Sequence, residues 1–309
     1  MEFLFAPPGS IGPAMLALLF GLMIGSFLNV LIHRMPRMWQ REFDNYVVDQ
    51  LNHLKPDSAL QGLRQDCSHC GQPASKEALP LPHTDRYDWI VPRSACPHCG
   101  HKITPLENIP VISWLFLRGK CSACKAPISV RYPAVELLTG LLAALLAWRF
   151  GTGWYGLGAL LFLFLLIPIT FIDIDIKEIP DDLSYLLLWS GLLINMITGL
   201  VSLPNAVLGA VIGYMSLWTV NYLFELILKK QGMGNGDFKL LAALGAWFGW
   251  QSLIPIILMS SVVGIFGFVI ANLIDRRPDK GQMPFGPYLA AAGLIYMLYR
   301  PAILNLLSM

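Results

Sequence analysis

The chain has 309 residues, 55% hydrophobic and only 14% charged, with a mean hydropathy of +0.56. That is too apolar for an ordinary soluble domain and points to a polytopic membrane protein. The formal net charge of +2 argues neither for nor against binding a polyanion, and no nucleic-acid partner is expected.

A membrane span needs about 20 mostly apolar residues. Segments of that kind run over 11–32, 133–150, 154–172, 183–201, 204–228, 238–250, 252–274 and 285–307, the sixth short enough to be tilted or half-buried. The expected fold class is an all-α polytopic membrane protein of about eight transmembrane helices, in contact with lipid. No Lys or Arg precedes the first segment, so the positive n-region of a cleaved signal peptide is missing there. Of the 22 Lys and Arg, 20 fall in 33–132 or in the turns at 173–182, 229–239 and 275–284, which alternate onto one side. The positive-inside rule then sets 33–132 in the cytosol and both termini outside. The expected parts are a first transmembrane helix (1–32), a polar Cys-rich insertion (33–132) and a helical bundle (133–309). Within the insertion, 40–66 shows no sustained apolar period and reads as a short helix or irregular chain.

All six cysteines lie in the insertion as three CxxC pairs: Cys67/Cys70, Cys96/Cys99 and Cys121/Cys124. Cytosolic thiols stay reduced, so disulfides are not expected. Cys96, Cys99, Cys121 and Cys124, with 21 residues between the pairs, fit a tetrahedral structural zinc site built of two knuckles. Four thiolates leave no open position for catalysis. Cys67/Cys70 is a surplus pair: a spare knuckle, competing ligands, or a second site completed by His69 or His83.

The third apolar segment ends in "FIDIDIKEIPDD" (171–182). Asp181 or Asp182 is a natural N-cap for the next helix, and Glu178 and Lys177 read as a solvated turn. Asp175, about 200° around a helix from Asp173, faces elsewhere. Only the depth of Asp173 is left without a cheap explanation, since burying a carboxylate there costs several kcal/mol unless it is protonated, paired or wet. Sixty-four residues later, "GMGNGDFKLLAALGAW" sets Asp237 behind Gly232, Gly234 and Gly236 on the same expected face. Taken alone, that motif is a glycine turn with an N-cap Asp. Two recessed aspartates on one face fit an aspartic protease dyad, one carboxylate acting as base on a water and the other polarising the scissile carbonyl. The dipoles of the helices carrying them favour Asp237 as the resting base and Asp173 as the resting acid.

On "GSFLNVLIHRMP" (25–36), "CPHC" (96–99), "ENIPVISWLFLRGKCSACKAPISVRYPAVELLTG" (107–140), "DIDIKEIPD" (173–181) and "GMGNGDFK" (232–239), the chain resembles the bacterial type IV prepilin peptidases, membrane aspartic proteases with a GxGD motif. The resemblance implies a bacterial inner-membrane enzyme that cleaves the basic leader of prepilins and pseudopilins after a Gly, on the cytosolic side. It also implies N-methylation of the new N-terminus from S-adenosylmethionine. Asp173 and Asp237 match the catalytic pair, and Cys96, Cys99, Cys121 and Cys124 match the cysteine tetrad. The stretch 40–93, with its extra cysteines, departs from the pattern. No motif for the methyl donor is visible. Glu136 is a recessed acid that fits either the methylation site or a snorkelling helix start. Two other readings stay open: an ion- or proton-coupled transporter using Asp173 and Asp237, and a membrane-anchored zinc module that only recruits partners.

Overall fold

The structure is a computed structural model that describes residues 7–53, 83, 85–229, 232–274 and 284–307. The chain is an all-α polytopic membrane protein. All eight apolar segments are helical: α1 (Ile11–His53), α3 (Arg131–Phe150), α4 (Trp154–Ile176), α5 (Asp181–Thr198), α6 (Leu203–Leu228), α7 (Asn235–Phe248), α8 (Leu253–Ile274) and α9 (Gly286–Leu307). A short α2 (Ile112–Phe116) lies in the insertion. Among the described residues, five stretches are long and apolar enough to cross a membrane by themselves: Ile11–Gln50, Arg131–Phe150, Trp154–Ile176, Leu203–Leu228 and Trp250–Gly267.

The 14-residue α7 is about 21 Å long, short of a hydrocarbon core of about 30 Å. It is instead the central element, with every residue from Leu240 to Phe248 buried. Helix α6 packs along it through small residues. Of α6 only Ala206, Gly209 and Gly213 are buried, and a Cβ on Gly209 would run into the Gly245 carbonyl. The backbones meet because side chains are missing at the seam, as expected where no hydrophobic force drives helices together in lipid. The larger residues of α6 face outward. Trp247 Nε1 donates to the Leu187 carbonyl at 2.8 Å, and Asn195 Nδ2 donates to the Ala246 and Trp247 carbonyls at 2.8 and 3.0 Å. The two Asn195 bonds satisfy carbonyls at the C-terminal end of α7 that the helix itself leaves free, and the Trp247 bond ties the same end to α5.

Helix α1 differs from the expectation. It continues without a break through Pro36 to His53, far beyond the apolar stretch ending at 32. Tertiary contacts hold the polar extension against His83 and residues 85–92. Arg34 donates to the carbonyls of Asp88 (2.7 Å) and Pro92 (2.5 Å), and Arg41 lies over the Tyr87 ring at 4.2 Å. The Asn45 side chain both donates to and accepts from the backbone of His83. Asp88 folds its own turn by accepting the N–H groups of Val91 and Ile90. With Arg86 beside it, these bonds hold its carboxyl down at about 2.

Candidate active site

Helix α4 ends one turn after Asp173, where the Lys177 N–H closes on the Asp173 carbonyl at 2.9 Å in a left-handed conformation (φ 59°). An extended Glu178–Pro180 link then feeds α5. Pro180, not Asp181 or Asp182, is the N-cap, and no side chain caps the helix. The expected cap is displaced because Asp181 is taken by Lys239 of α7, 2.6 Å from both carboxylate oxygens.

That ion pair is one of the ties that seat the start of α7 against the end of α4. The second is Gly236, where a Cβ would lie 2.7 Å from Ile179 Cβ, so that only glycine permits the approach. The third lies on the far side of the glycine loop, where Asn221 of α6 accepts the N–H groups of Gly232 (3.2 Å) and Met233 (3.0 Å). Asp237 therefore sits in the first turn of α7, buried to 7% exposure, with Asp173 at 4%. Both line one cavity of about 570 Å³, together with Trp39, Glu178, Asp182 and Met233. The two carboxylates are near enough to feel each other's charge.

The sequence gives no signal for a further participant, Gly286. Its N–H, the first of α9, donates to Asp173 Oδ2 at 2.9 Å. This removes the basis of the dipole assignment. Asp173 rides at the end of α4 but also meets the positive N-terminus of α9, so both carboxylates face a helix start. The other acids are used elsewhere. Asp175 forms a two-pronged pair with Arg131 (2.6 and 2.8 Å) away from the cavity. Glu136 accepts the Val111 N–H at 2.7 Å and so ties the insertion to α3. Trp39 and Lys239 also escape a local reading, because their partners are distant in sequence.

The Sγ atoms of Cys96, Cys99, Cys121 and Cys124 lie within 4.8 Å of one another, with Cys96–Cys124 at 3.8 Å and Cys99–Cys121 at 4.0 Å. A zinc tetrathiolate with bonds of about 2.3 Å has sulfurs about 3.8 Å apart, so the tetrad fits the ion. Two matching knuckles build it. Gly100 N–H returns to the Cys96 carbonyl and Cys96 N–H to that of His101, and Lys125, Cys121 and Ala126 repeat the pattern. Gly100 (φ 71°) and Lys125 (φ 61°) occupy the same left-handed position, so Lys stands where glycine is preferred. Glu107 joins the knuckles. The Ser122 hydroxyl on one side, then Thr104 and His101 on the other, hold its carboxyl at about 2. Cys67, Cys70 and His69 fall outside the described residues; His83 pairs with Asp44 at 3.4 Å.

Residues 19–150 match the Bacterial Peptidase A24 N-terminal domain, and residues 160–269 match the Type IV leader peptidase family. The chain is 48% identical over 288 residues to a prepilin leader peptidase/N-methyltransferase of Aeromonas hydrophila, covering 93% of this chain and 91% of that one. It is 45% identical over 304 residues to the protein of that name from Stutzerimonas stutzeri (97% and 94%), and 45% over 287 residues to that from Pseudomonas aeruginosa (91% and 89%). No solved structure matches. With both domains present in order and identity held across nine-tenths of its length, this chain belongs to the type IV leader peptidase family.

Proposed function

We propose that the chain is a membrane aspartic endopeptidase that removes the basic leader of prepilins and pseudopilins after a Gly, with Asp173 and Asp237 as its dyad. The observation that carries the reading is the pairing of two deeply buried aspartates, 64 residues apart in sequence and on different helices, in one cavity of about 570 Å³. In the mechanism, a water between the carboxylates gives its proton to the ionised member as it attacks the scissile carbonyl. The protonated member hydrogen-bonds to the carbonyl oxygen and stabilises the tetrahedral intermediate, and a proton passed to the amine completes cleavage. The Gly286 N–H holds the Asp173 carboxylate in place through the cycle.

The relatives' names carry an N-methyltransferase activity as well, and we assign it to the new N-terminus that cleavage exposes. S-adenosylmethionine supplies the methyl group when bound, and no residue is assigned to hold it. Zinc on Cys96, Cys99, Cys121 and Cys124 is structural, because four thiolates close its coordination. The enzyme sits in the bacterial inner membrane with both termini periplasmic. The insertion and the dyad face the cytosol, a topology supported by the one-sided distribution of Lys and Arg. Purified protein in detergent is expected to cleave a synthetic leader peptide at a Gly bond, and Asp173→Asn or Asp237→Asn is expected to abolish this.

A further inference from the structure

The dyad cavity has one aromatic wall, and it comes from the other family domain. Trp39 lies in the 19–150 match, on the polar extension of α1, while the rest of the lining follows Phe171 in the 160–269 match. Contacts on both sides fix the extension: Arg34 to the Asp88 and Pro92 carbonyls before Trp39, and Arg41 to Tyr87 and Asp85 after it. The Trp39 side chain is partly buried, packs against the hydrophobic core and lines the cavity. Its position is set before any substrate arrives.

The charges around it are unbalanced. Asp181 is neutralised by Lys239. Glu178 and Asp182 are exposed at the lip and make no ion pair or side-chain hydrogen bond among the described residues, against a single further lining cation, Lys177. A dyad sharing one proton adds another negative charge. An anionic side chain would be repelled. An apolar one would strip water from the lip carboxylates without replacing it. A cation can meet the indole face and the carboxylates together.

We propose that Trp39, with Glu178 and Asp182, is a specificity-determining subsite that binds a lysine or arginine side chain of the peptide substrate close to the scissile bond. This rests on the protease reading of the same cavity. The subsite makes the zinc-bearing N-terminal domain part of substrate selection as well as an anchor.

The test uses the full-length protein in detergent and two synthetic leader peptides, one carrying lysine near the scissile Gly bond and one with Lys→Gln. Wild type is expected to prefer the lysine peptide through KM, by about tenfold, the size of a partly desolvated cation–π contact. Its kcat should differ less than about twofold, because the interaction serves ground state and transition state alike. Trp39→Leu should erase most of the preference by weakening the lysine peptide only, and Trp39→Phe should restore much of it. The double variant Glu178→Gln/Asp182→Asn, at exposed positions, should act like Trp39→Leu and also flatten the salt dependence of KM. Full preference retained in both Trp39→Leu and the double variant would overturn the proposal, and so would an equal loss on both peptides. Wild-type protein that cleaves neither peptide would overturn the protease reading and this one with it. Cleavage that depends on Asp173 but ignores Trp39, Glu178 and Asp182 would overturn this one alone.

Discussion

Replacing Gly286 by alanine tests whether Asp173 works from the position in which the start of α9 holds it. A Cβ there would lie 2.6 Å from Asp173 Oδ2 and 3.0 Å from Ile179 Cδ1. Ordinary contact begins near 3.4 Å, so the carboxylate must retreat by about 0.8 Å and gives up its 2.9 Å bond from the Gly286 N–H. A hydrogen bond to a charged group contributes about 1.5–3 kcal/mol, which is about 10- to 100-fold in rate if it is lost in the transition state. A displacement of order 1 Å in a reacting group is itself enough for about 100-fold. The helix should survive, because alanine is favoured over glycine by up to about 1 kcal/mol in helical conformation. We therefore expect Gly286→Ala to insert and fold, with a loss of stability no larger than the bond it gives up, while kcat on a synthetic leader peptide falls about 10- to 100-fold. Unchanged kcat in a folded Gly286→Ala protein would show that the contact between α9 and Asp173 has no part in the reaction.

Metal analysis of the purified protein should give about one zinc per chain. Cys96→Ser with Cys121→Ser, or a strong chelator, should remove it and loosen the insertion as seen by hydrogen exchange; a ratio near two would bring Cys67/Cys70 into a second site, and none would remove the zinc centre from the account. Because Glu107 is held at about 2 against an ordinary 4.5, its bonds stabilise the joined knuckles at neutral pH, and that stabilisation is lost as pH falls from about 4.5 towards 2. The stability gap between wild type and Glu107→Gln, read by fluorescence-detected unfolding, should accordingly be full near pH 6 and shrink on acidification; a gap that grew would reverse the sign. Asp175→Asn should keep cleavage within about tenfold of wild type, since it weakens only the half-exposed pair with Arg131. Complete inactivity would bring Asp175 into the mechanism.

The positions of the membrane-crossing helices are legible because lipid imposes a one-dimensional rule: a stretch that crosses hydrocarbon must satisfy its own backbone, and so must be long and apolar. The rule fails where tertiary contacts decide. Residues 40–53 carry no sustained apolar period, yet they continue α1, because Arg34, Arg41 and Asn45 find partners at His83, Tyr87, Asp88 and Pro92. The depth of Asp173 and the glycines before Asp237 can be read locally. Their meeting in one cavity cannot, since it depends on Gly236 against Ile179 and on Lys239 against Asp181. Gly286 is invisible for the same reason: a glycine opening an apolar helix carries no sign that its N–H is aimed at a carboxylate 113 residues away. The knuckles are the opposite case, since CxxC spacing encodes a local turn and two copies imply one another.

The dyad is tested by cleavage of a synthetic leader peptide with purified wild type, Asp173→Asn and Asp237→Asn, each shown to be inserted and folded. Each substitution keeps the shape of the side chain and removes its ability to exchange a proton. Cleavage at the Gly bond by wild type, with none detectable in either variant, is the predicted result. Cleavage at the wild-type rate by either folded variant would remove that residue from the mechanism and break the pairing on which the protease reading stands.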